Sequence, residues 1–169
     1  MRIRPATLAD APAITSVYNE AVTGSTASFD TELQTAEVRA RWLTGRPGRH
    51  AVLVAEEDGA LVGWGALSPY SDRCAYWTTA ELSLYITGSC HRKGIGRALA
   101  SELLETARRE GLHMVLARIC TENTASVALM TSLGFTDAGT MHEVGFKFGR
   151  WLDVATLEYR VPEVPEGRG

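Results

Sequence analysis

A basic, glycine-containing loop between a strand-like run and a helix-like run constrains this chain more than any other segment. Residues 82–86 (LSLYI) are strand-like, residues 90–97 (CHRKGIGR) form the loop, and residues 98–110 are helix-like. Glycine lets the backbone come close to a ligand, and the first N–H groups of a helix lack intrahelical partners and favour negative charge. The loop also carries three basic side chains, Arg92, Lys93 and Arg97. The sequence therefore predicts that a phosphate or pyrophosphate group binds at this loop.

The spacing of the two glycines separates this loop from other phosphate-binding motifs. It is not a P-loop, because GxxxxGK[ST] is absent, and Leu99 replaces the third glycine of the dinucleotide fingerprint GxGxxG. The loop resembles the pyrophosphate loop of the GNAT acetyltransferases, [R/Q]xxGx[G/A], with His91 at the first position. The resemblance implies that acetyl-CoA binds at Arg92, Lys93, Gly94, Ile95, Gly96 and Arg97. The residues alone leave open a glycine-rich turn that only caps a surface helix.

Length, charge and composition narrow the class of protein. At 169 residues, one domain is expected over residues 1–161, followed by a disordered tail at 162–169. The net charge of −3 gives no general attraction to nucleic acid or to an anionic membrane surface. No run reaches the roughly 18 apolar residues of a membrane span. Residues 1–5 lack the apolar core of a signal peptide, so we expect a cytoplasmic protein.

Cysteine and histidine spacing argues against a metal site. The three cysteines, Cys74, Cys90 and Cys120, are widely spaced and form no CxxC motif, and the four histidines show no ligand spacing. We therefore expect neither a metal ion nor a disulfide framework.

Hydrophobic periodicity and turn residues predict a mixed α/β sheet flanked by about four helices. The predicted strands are 3–6, 51–56, 61–67, 76–86, 114–119, 135–138, 141–148 and 154–160. The predicted helices are one that starts near Pro12 and three at 36–43, 98–110 and 125–132. Asp58 with Gly59 predicts a hairpin turn, and Gly139 and Gly149 predict two further turns. The order of these elements also matches the GNAT fold over residues 2–160.

Three further segments narrow the resemblance to one group of acetyltransferases. Residues 123–126 (NTAS) with 133–135 (LGF) resemble the Nxx[AS]…LGF segment of the family, and residues 18–22 (YNEAV) resemble an early YNxxV helix. Residues 145–153 (GFKFGRWLD) are similar to the GxK[FH]GxWxD signature of the phosphinothricin and methionine sulfoximine N-acetyltransferases. A glycine-bounded hairpin with an aromatic face would explain only part of that signature.

Acetyl transfer from a thioester to an amine needs a base, and Glu81 is the candidate. Its strand is apolar over residues 76–82, and a carboxylate among apolar neighbours is a more effective base near neutral pH. Family members carry a glutamate at the matching place, and the resemblance implies that it acts directly or through water. The residues alone equally allow Glu81 to point to solvent on an alternating strand.

The backbone of Leu84, Tyr85 and Ile86 is expected to face the cofactor. Unpaired strand N–H groups can polarise the thioester carbonyl and bind the pantetheine amides. The resemblance implies that this strand separates from its neighbour beside Leu84, which would expose those groups.

Three residues near the next helix complete the expected cofactor contacts. The resemblance implies that Asn123 and Ser132 contact acetyl-CoA, and Asn123 is equally suited to cap the helix that follows it. Met130 stands where many family members carry a tyrosine that protonates the departing thiolate. An ordinary thiol has a pKa of about 8.5, so its thiolate can leave without full protonation. Tyr85 is one possible substitute acid.

Substrate contacts are expected on two segments beside the candidate base. Arg73, Ala75 and Tyr76 precede the strand, and the guanidinium of Arg73 can hold a carboxylate with two hydrogen bonds. An ordinary surface arginine fits the sequence equally well. Lys147 and Phe148 are expected to shape the pocket. The resemblance places their hairpin near a two-subunit interface, which implies a homodimer.

The leading hypothesis is an acetyl-CoA-dependent N-acetyltransferase that transfers acetyl directly to the α-amine of a small amino acid or analogue. The resemblance implies methionine sulfoximine, methionine sulfone and phosphinothricin as acceptors. Two alternatives stay open. One is the same chemistry on a polyamine, an antibiotic or a protein N-terminus. The other is a CoA-binding module that has lost catalysis, which Met130 motivates.

Overall fold

The computed structural model describes residues 1–46 and 48–162. The strands within them are β1 (Arg2–Pro5), β2 (Val52–Glu57), β3 (Ala60–Pro69), β4 (Thr79–Ile86), β5 (Met114–Cys120), β6 (Thr136–Lys147) and β7 (Arg150–Arg160). The α-helices are α1 (Ala11–Gly24), α2 (Ala36–Leu43), α3 (Ile95–Arg109) and α4 (Thr124–Ser132). The predicted tail lies outside the described residues from position 163 onward. None of the described helices combines the length and the apolarity that crossing a bilayer requires.

The strands form one mixed sheet in the order β1-β2-β3-β4-β5-β7-β6. Neighbouring strands are antiparallel except β4 and β5, which run parallel. A parallel pair requires a crossover connection, and α3 with the basic loop before it supplies that connection. The predicted mixed α/β sheet with about four helices is therefore confirmed.

Two apolar layers hold the helices against the sheet. On one face, Ile95, Leu99 and Leu103 recur every four residues along α3 and are buried with residues of the central strands and α4. On the other face, Ile14 of α1 belongs to a cluster around Trp64 of β3. The central strands β3 and β4 are therefore held between two helical layers.

Two-residue turns with positive φ close both hairpins. Asp58 and Gly59 join β2 to β3 with φ of 51° and 81°, and Phe148 and Gly149 join β6 to β7 with φ of 52° and 74°. Two consecutive residues at positive φ form the turn whose twist suits a two-residue hairpin. The predicted turns at Gly59 and Gly149 are confirmed.

Several predicted boundaries are wrong; β7, for example, begins at Arg150 rather than at residue 154. β4 begins at Thr79 rather than at residue 76, because residues 74–76 form a 3₁₀ turn. α3 begins at Ile95 rather than at residue 98, because Gly94 at φ 81° already provides the N-cap. Gly139 does not form a turn, since it lies within a continuous β6 at a register shift against β7. The sequence shows which residues favour turns, but it does not show where the regular hydrogen bonding of a strand or helix begins or whether it continues through a glycine.

Candidate active site

Strands β4 and β5 begin as a parallel pair and then separate. Their pairing covers three positions, from Thr79 with Met114 to Glu81 with Leu116, although both strands continue beyond it. The opening is a cleft of about 360 Å³, lined by both strands, by residues 26–30 and by residues of α4. The strand separation expected beside Leu84 is therefore present.

The open edge of β4 offers backbone polar groups to this cleft. The carbonyl of Thr79 accepts from Tyr70 N–H at 3.4 Å, and Thr87 N–H donates to the Val62 carbonyl at 3.0 Å. The backbone groups of these odd-numbered residues therefore face β3. Because backbone groups alternate along a strand, the N–H and C=O of Leu84 face the opening. An oriented N–H group at this place can polarise a carbonyl oxygen.

The basic loop starts where this open edge ends. The Nε2–H of His91 donates to the Ile86 carbonyl at 3.0 Å, which joins the loop to the last residue of β4. The first bond inside α3 runs from Ala98 N–H to the Gly94 carbonyl at 3.1 Å. The N–H groups of residues 95–97 precede that bond, so they form the type of helix N-terminus that binds anions.

The side chains of the loop are held by neighbouring elements. Lys93 Nζ lies 3.2 Å from a carboxylate oxygen of Glu57, and this hydrogen bond raises the pKa of Lys93. Arg92 adopts a left-handed conformation at φ 62° and is exposed. A Cβ added at Gly96 would lie 3.2 Å from the side chain of Leu129, so this glycine permits close contact between α3 and α4.

Two predicted cofactor residues lie at opposite ends of α4, one at the cleft and one beside the basic loop. Asn123 is its N-cap, since the side-chain oxygen accepts from Ser126 N–H at 3.3 Å, and Asn123 also lines the cleft. Ser132, at the other end of α4, accepts from Arg97 Nη2 at 2.7 Å. The Arg97–Ser132 bond joins two predicted cofactor residues at the basic loop.

Glu81 lines the cleft where β4 and β5 part. Its carboxylate accepts two hydrogen bonds from Arg118, one from Nε at 3.0 Å and one from Nη2 at 2.6 Å. The apolar surroundings predicted for Glu81 are therefore wrong at the carboxylate itself. The ion pair raises the pKa of Arg118.

A second carboxylate, Asp30, lies on the cleft wall and is held by a tyrosine. The hydroxyl of Tyr18 donates to Asp30 at 2.7 Å and accepts from the Ser28 hydroxyl at 2.9 Å. The ring of Tyr18 packs edge-on against Tyr85, with ring centroids 4.9 Å apart. Burial raises the pKa of Tyr85, so its hydroxyl stays protonated near neutral pH.

Sulfur-containing side chains occupy the cleft near α4. Met130 is buried and lines the cleft, so the residue that replaces the usual tyrosine cannot donate a proton. Cys120 is a buried free thiol on the same wall. No group of three or more His, Cys, Asp or Glu side chains within residues 1–46 and 48–162 is arranged to hold a metal ion.

The predicted substrate residues do not line this cleft. Arg73, Ala75 and Tyr76 are exposed at or next to the 3₁₀ turn before β4. Lys147 is only 5% exposed. Phe148 is exposed in the β6–β7 turn.

Lys147 holds the loop of residues 25–30, part of which lines the cleft. Its Nζ donates to the carbonyl of Ser25 at 3.0 Å and to that of Ser28 at 2.6 Å, and burial lowers the pKa of Lys147. A Cβ added at Gly145 would lie 2.6 Å from a ring carbon of Phe29, which is closer than real contacts allow. Two residues of the 145–153 segment therefore fix the position of residues 25–30.

The polar residues of the cleft that sequence reasoning missed include Tyr18, Asp30 and Arg118. Asp30 lies in a polar segment that carries no periodic signal. Arg118 did leave a signal, because it interrupts an otherwise apolar strand. A charge inside a strand that pairs with the strand of Glu81 indicates an ion pair.

Known proteins resemble this chain over nearly its whole length. The sequence model of the acetyltransferase (GNAT) domain family matches residues 3–156. The L-methionine sulfoximine/L-methionine sulfone acetyltransferase of Salmonella typhimurium is 40% identical in a 168-residue alignment that covers 96% of each chain. The phosphinothricin N-acetyltransferase of Streptomyces coelicolor is 36% identical in a 162-residue alignment that covers 94% of this chain and 95% of that protein.

A solved structure agrees with these sequence matches. The Salmonella typhimurium acetyltransferase yncA, solved with its cofactor acetyl-CoA, superposes with a TM-score of 0.93 at 37% identity over 99% of this chain and 98% of that one. The family and the group predicted from residues 90–97 and 145–153 are thereby confirmed. This chain belongs to the GNAT acetyltransferase family.

Proposed function

We propose that the protein transfers acetyl from acetyl-CoA directly to the α-amine of a small amino acid or analogue. The observation that carries the proposal is the separation of β4 from β5 immediately after Glu81. From the separation onward, the chain carries the candidate base, then the open backbone edge of β4, and then the N-terminus of α3. The names of the relatives support acceptors of the methionine sulfoximine, methionine sulfone and phosphinothricin type.

The described residues suit acetyl-CoA at the loop end of the cleft. The N–H groups of Ile95, Gly96 and Arg97 would hold the pyrophosphate, with positive charge from Arg92 and Lys93. Gly94, by adopting φ 81°, turns the backbone into that helix. Backbone groups of Leu84 and Ile86 would bind the pantetheine arm, whereas those of Tyr85, which were also expected to face the cofactor, face β3.

The residues of α4 would bind the cosubstrate from the other side. Asn123 lines the cleft and could bond a pantetheine amide. Ser132 does not line the cleft and would contribute at the basic loop, where it accepts a hydrogen bond from Arg97.

In the proposed reaction, residues of the cleft remove a proton from the acceptor and stabilise the charge that develops on the thioester oxygen. Glu81 takes a proton from the α-ammonium group, the neutral nitrogen attacks the thioester carbonyl carbon, and the remaining excess proton on nitrogen passes to solvent. Leu84 N–H stabilises the charge that develops on the carbonyl oxygen. The C–N bond forms as the C–S bond breaks, and the electron pair leaves with sulfur. Since Met130 cannot donate a proton, the thiolate leaves unprotonated, with the Tyr85 hydroxyl as the nearby phenol.

The acceptor contacts predicted for Arg73, Ala75, Tyr76, Lys147 and Phe148 stay proposals. Lys147 would act indirectly, by holding residues 25–28. The other four would contact an acceptor only from the cleft rim or from a second subunit.

We also propose a homodimer in the cytoplasm. Exposed apolar side chains on the β6–β7 hairpin support a subunit interface there: Met141, Val144, Phe146, Phe148 and Trp151. Large exposed apolar side chains concentrated on one hairpin are typical of a surface that binds another chain, although Met141 and Val144 also line the cleft. Sedimentation of the wild type and of a Phe146→Ser, Trp151→Ser variant tests this, with a dimer expected for the first and a monomer for the second.

One assay tests the transferase proposal. Thiol release from acetyl-CoA is measured with methionine sulfoximine, methionine sulfone, phosphinothricin, ordinary amino acids and polyamines. We expect release with the amino acids and a strong loss in Glu81→Gln. Release only with polyamines would indicate the other acceptor class. A binding module that lacks catalysis would bind acetyl-CoA and release no thiol with any amine.

A further inference from the structure

Arg118 is a charged side chain of the cleft to which the proposed reaction gives no role. It lies two residues beyond Leu116, the partner of Glu81 in the sheet register, and side chains two apart share a strand face. Arg118 and Glu81 therefore meet on one face of the sheet, where the strands part. The side chain of Arg118 is 49% exposed, so the cleft can reach it.

The ion pair engages the atoms that catalysis needs. Both carboxylate oxygens of Glu81 accept bonds from Arg118, at 3.0 and 2.6 Å. Each oxygen keeps a further lone pair, but the two bonds hold the carboxylate beside Arg118. A group that competes for the guanidinium would free the carboxylate to turn toward the amine.

The other charges of the cleft indicate what that group is. Among the described residues that line it, Arg118 is the positive side chain, and Glu81 and Asp30 are the negative ones. Nε and Nη2 of Arg118 point to Glu81, and the described residues provide no hydrogen bond for Nη1. A guanidinium binds a carboxylate with two parallel bonds, and a carboxylate on the Nη1–Nη2 edge would compete with Glu81 for the same positive charge.

We propose that Arg118 binds the α-carboxylate of the acceptor and in doing so releases Glu81 to face the α-ammonium group. The inference rests on the proposed function and adds a specificity-determining residue to it. One carboxylate replaces another on Arg118, so the number of charges paired in the cleft is kept. An acceptor that has an amine but no carboxylate leaves Glu81 bound to Arg118 and reacts slowly.

The test compares a carboxylate acceptor with its neutral counterpart. Methionine sulfone and its α-carboxamide differ only in this group, and kcat/KM is measured for both by thiol release. For the wild type we expect a preference for the carboxylate on the order of 10- to 100-fold, the range of a charged hydrogen-bonded contact. In Arg118→Met we expect the preference to fall to within about threefold of unity, through a higher KM for methionine sulfone. Arg118→Lys should retain an intermediate preference.

A matched arginine provides the control. Arg150 is also 49% exposed and also makes a two-bond pair with a carboxylate, Glu122, but does not line the cleft. Arg150→Met should keep the full preference for the carboxylate. Acetyl-CoA binding, followed by thermal shift, checks that every variant is folded.

The outcomes separate this inference from the function on which it rests. If Arg118→Met lowers kcat/KM equally for the acid and the amide, Arg118 only holds Glu81 and the inference is wrong, while the transferase proposal stands. An equal wild-type rate with both acceptors has the same meaning. No thiol release by the wild type with any amino acid would overturn both.

Discussion

The two ends of the cleft present different kinds of ligand-binding groups. At the loop end, ligand-binding groups are main-chain N–H groups of β4 and α3, placed by strand separation and by Gly94. At the acceptor end they are side chains: Glu81 paired with Arg118, and Asp30 bonded to Tyr18. Main-chain geometry depends on few residue identities, whereas side-chain contacts depend on each partner. The loop end can therefore keep one ligand while the acceptor end changes its specificity.

The largest expected effect is on the acceptor end, in Glu81→Gln. Removing a general base lowers kcat by a factor of roughly 10² to 10⁴, and acetyl-CoA binding should persist because the loop end is untouched. Single-turnover thiol release and a separate acetyl-CoA titration measure the two effects. The control is Glu122→Gln, whose carboxylate also pairs with an arginine, Arg150, but does not line the cleft. If Glu81→Gln keeps more than a tenth of the wild-type kcat, another base is at work.

Lys147→Met should show that the acceptor end depends on buried side-chain contacts. It leaves the carbonyls of Ser25 and Ser28 without their donor, at a cost of about 2–3 kcal/mol in the free energy of unfolding. KM should rise for the acceptor more than for acetyl-CoA, because residues 26–30 line the cleft. Urea unfolding and steady-state kinetics give both values.

The control for Lys147 comes from the loop end. Lys93→Met removes a lysine that is half exposed and paired with Glu57. It should change stability little, as exposed pairs do, and should raise KM for acetyl-CoA instead. Equal losses of stability in the two variants would contradict the contrast between the ends.

Gly94→Ala tests whether main-chain geometry governs the loop end. Alanine at φ 81° costs roughly 1–2 kcal/mol, and we expect KM for acetyl-CoA to rise while KM for the acceptor changes little. Gly59 is a matched control, since it has the same φ of 81° and equally open space around its Cα, but lies in the β2–β3 turn. Gly59→Ala should lose similar stability and keep its kinetics. A rise in KM for both variants would show a general effect of lost stability.

The smallest effect is expected for Tyr85→Phe. The ring contacts with Trp64 and Tyr18 stay, and only the buried hydroxyl is lost. Because a thiolate is a good leaving group near its pKa of about 8.5, kcat should fall by less than about fivefold. A drop of two orders of magnitude, measured at several pH values, would instead make Tyr85 the proton donor that Met130 is not.

The sequence predicts the loop end better than the acceptor end for the same physical reason. A strand, two glycines and a helix start are local patterns, so residues 82–97 indicate an anion site without knowledge of the fold. The start of α3 was still placed three residues too late, at 98 rather than 95, because the N-cap conformation of Gly94 cannot be read from composition.

The acceptor end is built from residues that are distant in sequence. Glu81 meets Arg118, 37 positions away, and Lys147 meets Ser28, 119 positions away. Sheet register decides the first contact and the path of an irregular loop decides the second. Neither leaves a periodic signal, so Lys147 was expected in the pocket and Arg118 was overlooked.

Gly145 gives the 145–153 segment a role that reaches beyond its own hairpin. The ring of Phe29 occupies the space that any larger residue at 145 would need. A programme to alter the choice of amine by randomising residues 26–30 would thus be constrained from a position more than a hundred residues downstream. A larger residue at 145 would displace the ring of Phe29 and with it the cleft wall formed by residues 26–30. Libraries should therefore vary residues 26–30 and leave Gly145 unchanged.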